Sequence, residues 1–137
     1  MFQNPSDDEL RAFFLRTHRL AVIGLSPQPV RPSDRVSARM QGWGLTIVPV
    51  RPAVTEVLGQ RAYGALADVP GVVDCVNVFR TAEEVPAIVD ECIRLNMPAI
   101  WIQQGIIAEA AAEKARAAGL FVVMDRCIMV EYARLMD

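Results

Sequence analysis

Leu20-Ala21-Val22-Ile23-Gly24 is the stretch that decides the fold. It is a short, continuous apolar run with no polar face, so a strand here is covered on both sides, as in a parallel sheet. Gly24 ends the run, and the chain leaves through Leu25-Ser26-Pro27-Gln28-Pro29-Val30-Arg31-Pro32. Ser33 then stands as a candidate N-cap for a helix carrying Val36, Met40 and Trp43 on one face.

Four more apolar runs follow: Leu45–Val50, Asp74–Phe79, Ala99–Ile102 and Leu120–Met124. Helical patterns lie between and around them. Ser6 and Glu9 form a capping box ahead of Leu10, Phe13 and Phe14. Val85, Ile88, Val89 and Cys92 make an amphipathic stripe whose start Pro86 leaves open by a few residues, since proline is tolerated only in the first turn. An alanine-rich helix over Ile107–Ala118 stops at Gly119, and a last helix covers Ile128–Leu135. The connection from Arg51 to Val73 holds Pro52, Gly59, Gly64, Pro70 and Gly71, too many breakers for a full helix. A short helical turn near Val54–Leu58 and an extended piece near Tyr63 are expected there.

Strict alternation of strand and helix predicts an α/β fold: one doubly wound domain over residues 1–137, with an N-terminal helix in 1–17 and a core in 18–133. Its five-stranded parallel sheet, in the order 3-2-1-4-5, carries helices on both faces. The ligand site of such a fold lies at the carboxyl ends of the strands, beside the first strand.

Composition narrows the function. With 137 residues, 53% hydrophobic and 22% charged, the chain fills a core without a disulfide or metal staple. The net charge of −2 argues against nucleic acid as a partner. Cys75, Cys92 and Cys127 are odd in number and widely spaced, which excludes a disulfide framework and a zinc knuckle. No apolar run reaches the roughly 18–20 residues needed to span a bilayer, and no signal-peptide pattern opens the chain. A soluble, cytoplasmic protein with no membrane partner is the expectation.

Of the 14 basic residues only Lys114 is lysine. Arginines follow several strands directly: Arg31 and Arg35, then Arg51, Arg80 and Arg126. In a parallel sheet these positions face one edge, and together they suit a polyphosphate ligand. The loop after the first strand stands where dinucleotide-binding folds place their phosphate turn. It holds only the first glycine of Gly-x-Gly-x-x-Gly. Where an NAD-binding domain ends its second strand in an acid, this chain has Arg51. A basic residue there fits a phosphorylated ribose, as in NADP or coenzyme A.

Several motifs in order then carry a resemblance. They are Ala21-Val22-Ile23-Gly24-Leu25-Ser26, Pro29-x-Arg31-Pro32-Ser33, Val48-Pro49-Val50-Arg51-Pro52 and Asn77-Val78-Phe79-Arg80. Val57-Leu58-Gly59, Ala67-Asp68-Val69-Pro70, Trp101-Ile102-Gln103-Gln104-Gly105 and Met124-Asp125-Arg126-Cys127 complete the set. From about residue 18 to 133 the chain resembles the stand-alone CoA-binding proteins. These are small Rossmann-like proteins similar to the N-terminal domain of the succinyl-CoA synthetase α subunit. The family's first strand usually ends Gly-Ala-Ser, here Gly24-Leu25-Ser26, and its second often ends Asn-Pro, here Arg51-Pro52. The resemblance implies coenzyme A, or an acyl-CoA, over Gly24 and Leu25, with Ser26, Pro27 and Gln28 near the pyrophosphate and Arg31 and Ser33 beside them. It places Arg51 at the phosphorylated ribose and Val78, Phe79 and Arg80 along the adenine and pantetheine path. Trp101 and Gln103 are expected to divide between the helical face and the cleft, with Gln103 toward the ligand.

No catalytic residue is expected. His18 precedes the first strand, on the edge opposite the site, and the adjacent acids Glu83 and Glu84 point in different directions. Cys127 reads as a small buried hydrophobe, or as a thiol that could meet the thiol of CoA. No triad, metal-ligand cluster or Walker sequence occurs. The leading reading is a non-catalytic CoA carrier, sensor or regulatory module, with homo-oligomerisation open. An NADP-dependent oxidoreductase or redox sensor on the same fold is the alternative.

Overall fold

The continuous apolar runs form the strands of one parallel sheet, and the amphipathic stripes between them form its helical cover. A computed structural model describes residues 1–136. In chain order the elements are α1 (Asp7–Arg16), β1 (Arg19–Ile23), α2 (Pro32–Gly42), β2 (Thr46–Val50), β3 (Glu56–Val57) and β4 (Gln60–Arg61). Next come β5 (Cys75–Val78), α3 (Val85–Arg94), β6 (Ala99–Ile102), α4 (Glu109–Ala117), β7 (Phe121–Met124) and α5 (Ile128–Leu135).

The main sheet has five parallel strands in the order β2-β1-β5-β6-β7. Helices cover both faces, as the alternation predicts. Successive residues of each strand serve opposite layers. Leu20, Val22, Cys75 and Trp101 pack with α1, α2 and α5, whereas Ala21, Val76, Val78, Ile100 and Ile102 pack with α3 and α4. The first layer is closed by aromatic rings. Phe13 stacks on Phe121, Phe14 on Trp101, and Trp43 on Tyr132.

One part of the topology corrects the sequence reading. Counted over the five sheet strands, the order is 2-1-3-4-5, because β5 pairs with β1 and not with the outer side of β2. Pro49 gives the physical reason. Val50 directs its carbonyl to Gly24 of the β1 end, so the neighbouring Pro49 faces away from β1. A ladder on that outer side would need an N–H that proline lacks. Among the described residues only Tyr63 pairs there, its N–H donating to Pro49 and its carbonyl accepting from Arg51. The Asp74 carboxylate meanwhile accepts from the backbone N–H groups of His18 and Arg19, which starts β5 beside β1.

The extended piece at Tyr63 is present, but no helical turn occupies Val54–Leu58. Glu56–Val57 and Gln60–Arg61 form an antiparallel ribbon instead. Leu58 and Gly59 both have positive φ (54° and 74°), the backbone of a two-residue hairpin turn. The expected capping box of α1 is present on Ser6 and Glu9. Ser33 is not the cap of α2: Pro32 opens that helix, and Ser33 lies in its first turn. At the N-terminus, Asn4 pairs its side-chain amide with both backbone groups of Met124, beside β7.

Gly24 joins this scaffold to the loop that follows. Its φ is +86°, and a Cβ placed on it would lie 2.6 Å from the Phe79 carbonyl oxygen and 2.7 Å from Arg80 Cδ. We expect Gly24→Ala to lower stability by about 2–5 kcal/mol, from a left-handed alanine and overpacking together. The urea midpoint should fall with the slope unchanged. A midpoint within error of the parent would show that the crossing has slack.

Candidate functional site

Parallel strands bring their carboxyl ends to one edge, and here the loops after all five gather. β1 separates its two neighbours at its last peptide. The Gly24 N–H donates to Val50 of β2, while the Phe79 N–H, just past β5, donates to Ile23. Beyond that point the loops diverge. A cleft of about 730 Å³ opens on the α2 side, between the Gly24–Ser33 loop, Phe79-Arg80-Thr81, Gln103-Gln104, Ile106 and Cys127. A second hollow of about 580 Å³ opens on the α3 side, between the β2 end, Gly64–Leu66 and α3. Gly24, Arg51 and Arg80 line both.

The sequence-chosen residues divide by where their side chains go. Gly24, Ser26, Gln28, Arg31, Ser33, Arg51, Phe79, Arg80 and Gln103 line the first cleft. Leu25 and Val78 do not. Both are wholly buried, on opposite core layers, so only their backbone can face a ligand. Pro27 is exposed and lines neither cavity. Pro32, Val36, Thr81, Gln104, Ile106 and Cys127 also line the cleft and were not among the chosen residues.

Hydrogen bonds show which groups remain open to a ligand. Ser26 shapes the loop and keeps its hydroxyl proton to donate: its N–H donates to Ser33 Oγ, and its own Oγ accepts from the Gln28 N–H. These two bonds hold the proline-rich loop in shape. The N–H groups of Ser33 and Asp34, at the start of α2, have no partner among the described residues. They form the anion-favouring end of that helix. Asp34 itself is buried in that turn and lines neither cavity.

The arginines are not equivalent. Arg80 is held in a two-point pair with Glu84, at 3.1 Å and 2.7 Å. That pair pushes the Arg80 pKa up and, with the Thr81 hydroxyl, draws the Glu84 carboxyl below the usual carboxylate range. Arg126 reaches Glu131. Arg35 lines neither cavity. Arg31 touches only the Gln28 side-chain oxygen, and Arg51 only the Gly24 carbonyl at 3.3 Å. Among the described residues these two are the cleft guanidinium groups without a carboxylate partner.

At the far end of the cleft lies a buried amide pair. Asn77 Nδ2 donates to the Trp101 carbonyl and to Gln103 Oε1, and Gln103 Oε1 also accepts from the Ile128 N–H that opens α5. Trp101 and Gln103 are two residues apart and extend the same side of β6, which corrects the expectation that they divide between faces. Trp101 fills the layer under α1 and ties its indole N–H to the Arg126 carbonyl. Gln103, only 5% exposed, ends that row at the cleft. His18 lies before β1, at the opposite edge, as expected.

Comparison with known proteins agrees with this geometry. Residues 18–133 match the family described as CoA binding domain. The chain is 41% identical over 131 residues to the uncharacterized protein YneT of Bacillus subtilis, covering 96% of this chain and 97% of that one. It is 29% identical over 97 residues to an ADP-forming acetate–CoA ligase of Archaeoglobus fulgidus, covering 71% of this chain and 14% of the ligase. A solved structure from Thermus thermophilus superposes with a TM-score of 0.89 at 35% identity, covering 96% of this chain and 99% of that one. By the extent of these matches, and by a glycine-closed first strand opening onto a cleft at the carboxyl edge, the chain belongs to the CoA binding domain family.

Proposed function

We propose that this protein binds coenzyme A in the cleft on the α2 side and serves as a cytoplasmic, non-catalytic carrier or sensor of CoA or acyl-CoA, with the whole chain acting as one binding domain. The observation that carries the reading is that Arg31 and Arg51, both without acids, line the same cleft as Ser33, whose N–H opens α2 without a partner among the described residues. That set is a phosphate-binding set in a chain of net charge −2. The cleft volume suits a nucleotide-sized ligand, and the residues present fit CoA.

Each part of the ligand has a chemical counterpart. The pyrophosphate meets the start of α2 and Arg31, with Ser26 shaping the loop from behind. Arg51 meets the ribose 3′-phosphate, and Phe79 supplies an apolar wall. Gln103 offers its amide to the pantetheine arm. The name of the Archaeoglobus relative, a CoA ligase, supports the same ligand.

Calorimetry with CoA, dephospho-CoA and NADP tests this reading. CoA should bind about 10–100-fold more tightly than dephospho-CoA, the worth of one charge-assisted phosphate contact. Arg51→Met should bring the two ligands to nearly equal affinity. Equal affinity in the parent protein would remove the role given to Arg51, and a preference for NADP would favour the dehydrogenase-type alternative.

Thermal unfolding gives an independent check. A ligand specific for the folded state adds about 2.7 kcal/mol at a hundredfold excess over its dissociation constant. CoA should therefore raise the melting temperature in a concentration-dependent way. A melting curve unmoved by millimolar CoA would overturn the reading.

A further inference from the structure

We propose that Cys127 captures the thiol end of the ligand covalently, by thiol–disulfide exchange with a disulfide of CoA; this rests on the CoA reading above. Three observations point to it. First, the cleft has a direction. It runs from Arg51, after β2 at one side of the sheet, to Cys127, after β7 at the other. Four strand spacings separate those positions, roughly 19 Å. Charge gathers at the Arg51 end, and a thiol stands at the other. A ligand with phosphates at one end and sulfur at the other matches that polarity.

Second, Gln103 beside Cys127 is an aimed donor. Its Oε1 is fixed by two donors from the protein, Asn77 Nδ2 and the Ile128 N–H. Its Nε2 has no partner among the described residues, and Gln103, a largely buried residue, lines the cleft. That nitrogen is not sealed in the core but meets the open cleft, so it is free to donate to a bound group. The group it calls for is a carbonyl, and the pantetheine arm carries amide carbonyls close to its sulfur.

Third, the other two cysteines are placed so that they cannot compete. Cys75 is fully buried, and burial raises its pKa well above the ordinary thiol value; burial raises that of Cys92 to about 12. Cys127 alone of the three lines a cavity. It sits at the N-cap of α5 with no side-chain cap bond.

The step balances without an added oxidant. The Cys127 thiolate attacks one sulfur of the CoA disulfide, forming a new S–S bond as the old one breaks. The second CoA leaves as a thiolate and takes up the proton that Cys127 gave to solvent. Bound CoA would then be held in a form that dithiols release, which makes occupancy of the cleft responsive to thiol redox state.

The test treats the reduced, full-length protein with CoA disulfide or with glutathione disulfide, and reads intact mass under non-reducing conditions. We expect one adduct, heavier by one CoA less two hydrogen atoms, mapped to the Cys127 peptide, reversed by dithiothreitol and absent from Cys127→Ser. Formation should be at least about tenfold faster with CoA disulfide than with glutathione disulfide, because docking presents the sulfur to Cys127. CoA binding without an adduct, an adduct elsewhere, or equal rates from the two disulfides would overturn the covalent step and leave the CoA reading intact. Loss of both binding and adduct in the parent protein would overturn the two together.

Discussion

Between Gly24 and the Phe79 carbonyl there is no room for a methyl group. Much of the carboxyl edge depends on that contact. It lets the last peptide of β1 bond to β2 on one side while Phe79, just past β5, bonds back to Ile23 on the other. The chain can then turn upward with positive φ and feed α2. A side chain at residue 24 would push the Phe79-Arg80 segment away, along with the Arg80–Glu84 pair that begins the next helical layer. Strand pairing and cleft shape are therefore two results of the same close approach.

The cleft floor is built on a second constraint, the satisfaction of buried amides. Asn77 lies in mid-sheet among apolar neighbours, and its amide is used by a neighbouring carbonyl and by Gln103. Gln103 in turn receives the first N–H of α5. One side chain thus couples β5, β6 and α5, and removing it would leave several buried groups unpaired at a cost of about 1–3 kcal/mol each. The geometry leaves one nitrogen of this network facing the cleft.

Much of this was legible in the sequence, for identifiable reasons. Strands buried on both faces must be continuous apolar runs, so five strands and their helices stand out, and parallel topology places Arg31, Arg51, Arg80 and Gln103 at one edge. The strand order was also encoded, in Pro49, but the missing N–H has a meaning only once the direction it faces is known. The β3–β4 ribbon escaped because strands of two residues show no alternation. Side-chain direction in loops was the other blind spot. Leu25 and Val78 sit beside the cleft in sequence yet point into the core, whereas Cys127, open in sequence between a core and a site reading, packs against the core and also lines the cleft. The Asn77–Gln103 bond joins residues 26 apart, and no spacing rule would have found it.

Tyr63 on the outer side of β2 and Asn4 beside β7 have a consequence for the molecule in a crowded solution. An open sheet offers two rows of unpaired backbone groups to any passing strand, and that is a common route to aggregation. Here a proline and a single tyrosine bridge occupy one row, and an asparagine amide takes both groups of Met124 on the other. A foreign strand would meet a missing donor on the first side and a side chain already in place on the second. Further copies of this chain are thereby steered away from strand-to-strand growth, and association is left to the helical faces and loops.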